Sequence, residues 1–495
     1  MTTRSIAASV LALSVVCGSA LAIGPLEWAP TPLTGPAALG VEGAIMGKVV
    51  ADPVDPNTVW ALTAGVPDPT GSTSPAPANG VWKSVDLGET WTQMNDGVLL
   101  PAYSALDIAI SPADPQVIYV ATVEQGVFKS TDGGINWLAV NDGLVSDSRS
   151  FPNIDWGVVA VGVDPVDPDL AYCSVAEITA DVDSLDVSFN HPGFFRTTDG
   201  GASWTSSNNG LPGRSGTSWG LPVNIVQVPG RPGTLILGMA NVSAKIAVIL
   251  PVKASTQAST YYSTDSGLSF KPLSNGLPVI DGDRVFLGAS VSVSATYVVP
   301  ILSLPEVGLY LTHFGAKATA DLADTSLKLK SRGVYGFHLP TSNAWRNLSG
   351  GLPEANNEYS ENSVNLGVVG AAPMDFDLLV AGVFLADSEG EPSENSDMWA
   401  TLSGWSWLRP WDSGLGTSPA GYTSPVPLFT TWNADQSVVF SSVSFAEAAD
   451  NADDGVWRLP PTLNMPAKFD AQAKASASTW RNSLFERMPF PLNLF

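Results

Sequence analysis

Cysteine, histidine and basic side chains are all scarce in this chain of 495 residues. Two cysteines cannot form a disulfide framework, and the three histidines (His191, His313, His338) are not spaced as metal ligands. Lysine and arginine number 23 against 47 aspartates and glutamates, so the formal net charge is −24. Nucleic acids and anionic membranes bind clustered basic side chains, and we therefore expect neither as a partner.

Long apolar runs are also missing after residue 22, so we expect no membrane-spanning helix there. Residues 1–22 have the pattern of a secretory signal peptide, with Arg4, a short apolar stretch and a small-residue cleavage site at Ala20-Leu21-Ala22. This pattern predicts a secreted or periplasmic protein. Cleavage would remove Cys17 and leave Cys173 without a partner, so stability must come from a large core.

A short turn motif, Ser/Thr-x-Asp-x-Gly-x-x-Trp/Phe, occurs four times. The aspartate can accept backbone hydrogen bonds, the glycine can adopt a positive φ, and the aromatic side chain can anchor the returning strand. The motif therefore predicts a hairpin turn with a structural role. Its residues are Asp86, Gly88 and Trp91; Asp132, Gly134 and Trp137; Asp199, Gly201 and Trp204; and Asp265, Gly267 and Phe270.

These four segments resemble the Asp-box, or BNR repeat, of a family of β-propellers. That family includes sialidases, some xyloglucan-degrading hydrolases, sortilin-type receptors and photosystem assembly factors, and its radial architecture is shared with WD40 and YVTN repeats. The resemblance implies an all-β propeller whose Asp-box turns lie away from the functional face. It implies no particular activity.

The repeat extends upstream of each turn. A strand with an aromatic residue, opened by glycine in five copies, recurs seven times, beginning at Gly80, Gly126, Gly193, Thr260, Gly333, Asp397 and Gly455. Candidate first strands begin near Ala44, Ala105, Gly157, Val223, Arg284, Ser363 and Pro425. The closing aromatics are Trp91, Trp137, Trp204, Phe270, Trp345, Trp407 and Trp480.

Residues 23–495 are therefore predicted to form one seven-bladed propeller of four-stranded antiparallel blades. A pair of β-sandwiches or a β-helix explains the spacing less directly. Trp28 also resembles the start of a fourth strand, and the sequence does not decide whether the strand after Trp28 or the one after Trp480 closes the ring.

The long loops between blades and between middle strands are predicted to share the face opposite the Asp-box turns, and loop elaboration marks the candidate binding surface. Aromatic side chains beside carboxylates suit sugar rings, and arginines can clamp an acidic group. The candidate binding residues are Trp156, Trp219, Arg149, Arg214 and Arg284; the candidate catalytic residues are Asp155, Asp283, Glu361 and Tyr359.

Two functions remain open from the sequence. One is an exported, monomeric propeller that binds a glycan or an extracellular protein on its loop-rich face, as a non-catalytic binding or assembly module. The alternative is a glycoside hydrolase, either sialidase-like or acting on neutral glycans, which needs two carboxylates across the scissile bond. A sialidase needs an arginine near the chain start, and the segment Val41–Met46 has none. No metal site or cofactor is predicted, with calcium left open at the acidic turns.

Overall fold

The computed structural model describes residues 29–34, 44–65, 80–95, 105–122, 125–144, 155–181, 186–211, 218–243, 260–277, 284–286, 289–293, 297–299, 304–313, 316–318, 333–340, 342–349, 369–371, 379–383, 397–401, 425–435, 438–445 and 455–459. The regular elements in these ranges are β-strands. The class is therefore all-β.

Thirty strands are formed in the described ranges. In chain order they are β1 (Ala29–Thr34), β2 (Ala44–Ala51), β3 (Val59–Gly65), β4 (Gly80–Ser84), β5 (Thr92–Gln93), β6 (Ala105–Ile110), β7 (Ile118–Thr122), β8 (Gly126–Ser130), β9 (Leu138–Ala139), β10 (Asp155–Val163), β11 (Ala171–Asp181), β12 (Asp186–Thr197), β13 (Thr205–Ser206), β14 (Ser218–Gln227), β15 (Leu235–Ser243), β16 (Thr260–Ser263), β17 (Lys271–Pro272), β18 (Arg284–Phe286), β19 (Ala289–Val293), β20 (Tyr297–Val299), β21 (Leu304–His313), β22 (Ala316–Ala318), β23 (Gly333–Leu339), β24 (Arg346–Asn347), β25 (Val369–Ala371), β26 (Leu379–Val383), β27 (Asp397–Thr401), β28 (Pro425–Trp432), β29 (Val439–Phe445) and β30 (Gly455–Leu459).

Most of these strands pair antiparallel in small sheets that follow the chain. The first four sheets are β2–β3–β4–β5, β6–β7–β8–β9, β10–β11–β12–β13 and β14–β15–β16–β17. The fifth is β19–β21–β23–β24, with β20 paired to β21, and the last is β28–β29–β30–β1. Successive first strands contact each other, as β2 contacts β6 and β6 contacts β10. Small sheets arranged in this way are the blades of a β-propeller.

Six blades are complete within the described residues, so the prediction of seven four-stranded blades is wrong in its count. The unit predicted to close on Trp407 is a three-stranded sheet, β25–β26–β27, whose first strand contacts β19 and β28. Within the described residues, no strand after β27 joins this sheet. Trp407 lies outside the described residues.

The last blade is closed by the N-terminal strand. β1 pairs with β30, with Ala29 opposite Arg458 and Pro30 opposite Trp457. Because β29 occupies the other edge of β30, no edge of β30 is left for a strand after Trp480. Of the two closures that the sequence left open, the strand that follows Trp28 is therefore the one that pairs with β30.

The predicted strand starts agree with the structure at most positions. β2, β6 and β28 begin at the expected first-strand residues, and third strands begin at Gly80, Gly126, Thr260, Gly333, Asp397 and Gly455. The expected first strand near Arg284 is wrong. Arg284 opens β18, which pairs with β22 in a separate two-stranded sheet. The first strand of the fifth blade is β19, because it is β19 that pairs with the buried strand β21.

The core lies between neighbouring blades. Large side chains of the second strands, such as Trp60, Tyr119 and Tyr172, are fully buried there. Between the third and fourth blades, the ring centroids of Tyr172 and Phe194 are 5.8 Å apart, and those of Phe194 and Phe270 are 4.9 Å apart. Burying one such side chain contributes about 1.5–3 kcal/mol. Cys173 is buried in the same way, as a small apolar side chain, and burial raises the pKa of its thiol.

Candidate functional site

The two faces of the ring differ in their loops. We call "turn face" the side that carries the segments Ser84–Trp91, Ser130–Trp137, Thr197–Trp204 and Ser263–Phe270, which we call the aspartate turns. We call "loop face" the opposite side, where β10 and β14 begin. All four aspartate turns lie in the described residues.

Asp132 holds its turn closed with both carboxylate oxygens. Its Oδ1 accepts from the backbone N–H of Asn136 at 2.8 Å and from the Ser130 hydroxyl at 2.9 Å, and its Oδ2 accepts from Asn136 Nδ2 at 2.8 Å. The Ser130 hydroxyl oxygen accepts in turn from the backbone N–H of Gly134 at 2.8 Å. These hydrogen bonds favour the charged carboxylate, and the backbone and side-chain bonds from Asn136 lower the pKa of Asp132.

The other three aspartate turns repeat this network. In each, the residue directly before the aromatic one binds the carboxylate through its backbone and its side chain; these residues are Thr90, Ser203 and Ser269. The sequence analysis treated that position as unrestricted. Its signal is visible in retrospect, because all four copies carry a hydrogen-bonding side chain there.

Glycine is required in these turns for two reasons. Gly134 has a φ of 90°, a conformation that other residues adopt rarely. A Cβ at this position would also lie 2.7 Å from the Trp60 ring of the preceding blade. The turn therefore packs against its neighbour without room for a side chain.

Three closing tryptophans join their blades to the preceding ones through the indole N–H. The indole N–H of Trp137 donates to the backbone oxygen of Met94, and that of Trp204 donates to Val140, each at 2.8 Å. Trp345 makes the same bond to Leu273, although its blade has no aspartate turn. The side chains of the aspartate turns are thus engaged in building the ring.

The aspartate turns also contact the turns between first and second strands, which contain Asp-Pro pairs such as Asp114-Pro115 and Asp167-Pro168. The backbone N–H of Gly133 donates to the carbonyl of Gln116 at 3.0 Å, and that of Gly200 donates to Asp169 at 2.9 Å. The two kinds of turn therefore form one continuous layer on the turn face.

At the loop face, the third and fourth blades are taller than the second. β6, β7 and β8 have 6, 5 and 5 residues, whereas β10, β11 and β12 have 9, 11 and 12. β14 and β15 are also long, with 10 and 9 residues. The extra length raises a rim on this face.

Two candidate residues occupy matching places on that rim. The pairing of β10 shifts after Val158 and that of β14 shifts after Pro222, so the two strands can be aligned at these bulges. Asp155 and Trp219 then hold the same register position, each three residues before its bulge. Trp156 follows Asp155 and pairs with Glu177.

The remaining candidate residues are not brought together by the described structure. Arg284 lies on β18, which pairs with β22 and not with a first strand, so it does not open a first strand as predicted. Five further candidates lie outside the described residues: Arg149, Arg214, Asp283, Tyr359 and Glu361.

A charged pair that sequence reasoning missed connects three blades near the axis. Lys48 of β2 forms an ion pair with Asp107 of β6. Asp107 also accepts from its own neighbour Ile108 N at 2.8 Å and, through Oδ2, from Val161 N of β10 at 3.0 Å. Its side chain is only 5% exposed, so the carboxylate depends on these partners. The sequence signal is a single charge within each of two apolar strands.

In the described part of the chain, three or more His, Cys, Asp or Glu residues are nowhere grouped closely enough to hold a metal ion. The same residues contain no helix that is long and apolar enough to span a membrane.

Comparison with known proteins supports the fold. No protein-family model matches the sequence. No curated protein matches it either. Among solved structures, the xyloglucanase of glycoside hydrolase family 74 from Xanthomonas campestris is similar at a TM-score of 0.50 and 15% identity, over 90% of this chain and 55% of that one. At this identity the likeness shows the fold alone.

Two further solved structures are similar at lower TM-scores. The family 74 enzyme of Niastella koreensis has a TM-score of 0.49 and 12% identity, over 87% of this chain and 53% of its own. YCF48 from Cyanidioschyzon merolae has a TM-score of 0.46 and 14% identity, over 88% and 99%. The chain spans about half the length of the family 74 enzymes that it matches.

Proposed function

We propose that this protein is an exported Asp-box propeller that binds a glycan at the rim of its loop face. Export rests on the signal-like pattern of residues 1–22, and the family assignment rests on the four aspartate turns with their shared network. The proposal does not include catalysis, because the likeness to a xyloglucanase at 15% identity carries the fold and not the activity.

The observation that carries the proposal is the matching position of Asp155 and Trp219 on the raised first strands β10 and β14. First strands of neighbouring blades converge toward the axis, so a ligand at the axis meets several blades at once. Tryptophan offers an apolar face to the C–H groups of a sugar ring, and a carboxylate accepts from its hydroxyls. Trp156 follows Asp155 on the same strand and is the second tryptophan that we include in the proposed site.

Binding is tested with neutral xyloglucan oligosaccharides and with uronic or sialic oligosaccharides, by isothermal titration of the wild type and of Trp156→Ala and Trp219→Ala. We expect each substitution to weaken glycan binding about two- to tenfold, since a lost aromatic contact of about 0.5–1.5 kcal/mol corresponds to roughly that range. Val166→Ala, on the exposed tip of a turn-face loop, is the matched control and should bind as the wild type does.

The Arg284→Ala variant tests whether the bound glycan carries an acidic group. Loss of acidic oligosaccharides alone would assign Arg284 to a carboxylate clamp, as the sequence analysis predicted. A wild type that binds no oligosaccharide would refute the glycan proposal and leave a protein partner. If the wild type releases sugar from chromogenic glycosides and Asp155→Asn does not, the proposed function changes from glycan binding to glycan hydrolysis.

A further inference from the structure

A basic residue recurs at one position of the third strands on the turn face. It directly precedes the Ser or Thr of the aspartate turn, or its equivalent in the last blade; these residues are Lys83, Lys129, Arg196 and Arg458. Tyr262 takes this place in the fourth blade. Each basic side chain points toward the next blade of the ring, so its partners can be compared from blade to blade.

Three of the four basic residues find a partner on the next blade. Lys83 Nζ donates to the carbonyl of Gly133 at 3.1 Å and lies 4.6 Å from the centroid of the Trp60 ring. Lys129 Nζ lies 3.1 Å from Asp169 Oδ1. Arg458 donates to the carbonyl of Leu87 and to Glu89 Oε1, each at 2.6 Å. Their charges are therefore compensated within the protein.

Arg196 is the exception. Within the described ranges it forms no hydrogen bond or ion pair, and its Nε is buried without an acceptor. The next blade explains this difference. Gly233 of the fourth blade is equivalent to Asp169 of the third blade, because the backbone carbonyl of each accepts a hydrogen bond from the aspartate turn of its own blade. Leu268 stands where Glu89 stands, three residues after the turn aspartate. The carboxylates that pair with Lys129 and Arg458 are thus replaced by residues without charge, and among the described residues no carbonyl contact like that of Lys83 takes their place.

A cleft of about 160 Å³ is lined by both Arg196 and Leu268, the residue that stands in place of the missing carboxylate. Its remaining lining consists of hydroxyl side chains. The hydroxyls of Thr198 and Thr205 make no hydrogen bond to any described residue, so they can donate into the cleft together with the guanidinium. The lining residues besides Arg196 and Leu268 are Thr197, Thr198, Ser203, Thr205, Ser206 and Ser207.

We infer that this cleft binds a tetrahedral oxyanion, a sulfate or phosphate group, between the third and fourth blades. The guanidinium supplies paired charged donors and the hydroxyls supply donors from other directions, which suits an anion with four oxygens better than a planar carboxylate. Asp199 lies in the adjoining turn, but its carboxylate already accepts from Ser203 and Thr197. Its repulsion lowers the affinity, and we expect millimolar binding that weakens with salt.

The test is equilibrium dialysis of the full chain against radiolabelled sulfate, with sodium chloride holding the ionic strength constant. We expect one sulfate bound per chain, displaced by phosphate and not by acetate at the same concentration. Arg196→Gln should weaken binding at least tenfold. Lys129→Gln, which removes a cation already paired with Asp169, is the matched control and should bind sulfate as the wild type does.

A second variant places a carboxylate of the protein itself in the cleft. Leu268→Glu restores a carboxylate where Glu89 stands in the first blade, so it should pair with Arg196, abolish sulfate binding and leave the melting temperature unchanged or higher. Absence of sulfate binding to the wild type would overturn the inference. So would acetate competing as well as phosphate, equal losses in Arg196→Gln and Lys129→Gln, or sulfate binding that survives in Leu268→Glu.

Discussion

The turn face repeats one hydrogen-bond network in four blades, whereas the inner strands and the loop face carry features that occur once. Asp86, Asp132, Asp199 and Asp265 have the same partners at nearly the same distances. The Lys48–Asp107 pair and strands as long as β11 and β12 have no second copy in the described residues. A network that closes a hairpin recurs with that hairpin, while a feature that occurs once can serve one place in the ring.

The largest effect is expected where a single-copy feature is broken. Asp107→Ala leaves Lys48 without its partner and the N–H of Val161 without an acceptor, so we expect a loss of about 3–5 kcal/mol in the free energy of unfolding. Urea unfolding followed by tryptophan fluorescence measures it. Lys48→Met should cost less, because Asp107 keeps its two backbone donors. Equal costs would show that the backbone bonds contribute nothing.

A smaller loss is expected from one link of the repeated layer. Trp137→Phe removes the indole donor to the carbonyl of Met94, and we expect a cost of about 1–2 kcal/mol. Trp91→Phe is the matched control, because the buried indole N–H of Trp91 has no acceptor in the described structure. Trp91→Phe should lower the free energy of unfolding less than Trp137→Phe does, as measured by urea unfolding. Equal losses of stability in the two variants would show that the hydrogen bond from the Trp137 indole contributes nothing.

The smallest effect should follow a single turn aspartate. Hydrogen bonds from the side chains of Ser203 and Thr197 lower the pKa of Asp199 to about 2. In the unfolded chain an aspartate titrates near 3.9, so the unfolded state binds the proton first and stability falls as the pH drops from about 4 through about 2.

We therefore expect Asp199→Asn to lower the melting temperature by a few degrees at most at pH 7 and to match the wild type near pH 2. Asp142→Asn serves as the control, since the carboxylate of Asp142 makes no hydrogen bond among described residues; its difference from the wild type should be equal at both pH values. A constant deficit of Asp199→Asn across this range would refute the role of the charged carboxylate.

Local patterns in the sequence were enough for the turns and most strand starts. The segment from Ser130 to Trp137 contains the acceptor, the donors and the glycine that its turn needs, so eight residues determine the hairpin. The count of complete blades could not be obtained in this way. The unit near Trp407 has the third-strand pattern, but its described sheet has three strands, and which strands pair depends on contacts between segments rather than on a local pattern.

The candidate site could be predicted only in part. Asp155 and Trp219 were singled out by residue type, and their equal register positions emerge from the bulges in β10 and β14, which have no evident sequence signal. Lys48 and Asp107 are 59 residues apart, and neither was selected. Their importance arises from burial and from the geometry of three neighbouring first strands.

The sequence by itself determined the all-β class and the repeating turn, because these depend on hydrogen bonds between residues within one hairpin. Only the tertiary structure decided that β1 closes the last blade and that Arg196 lacks the carboxylate its equivalents have. Both depend on which residues of distant segments meet across a sheet edge or a blade interface, and a free strand edge or an uncompensated charge exists only after the ring has formed.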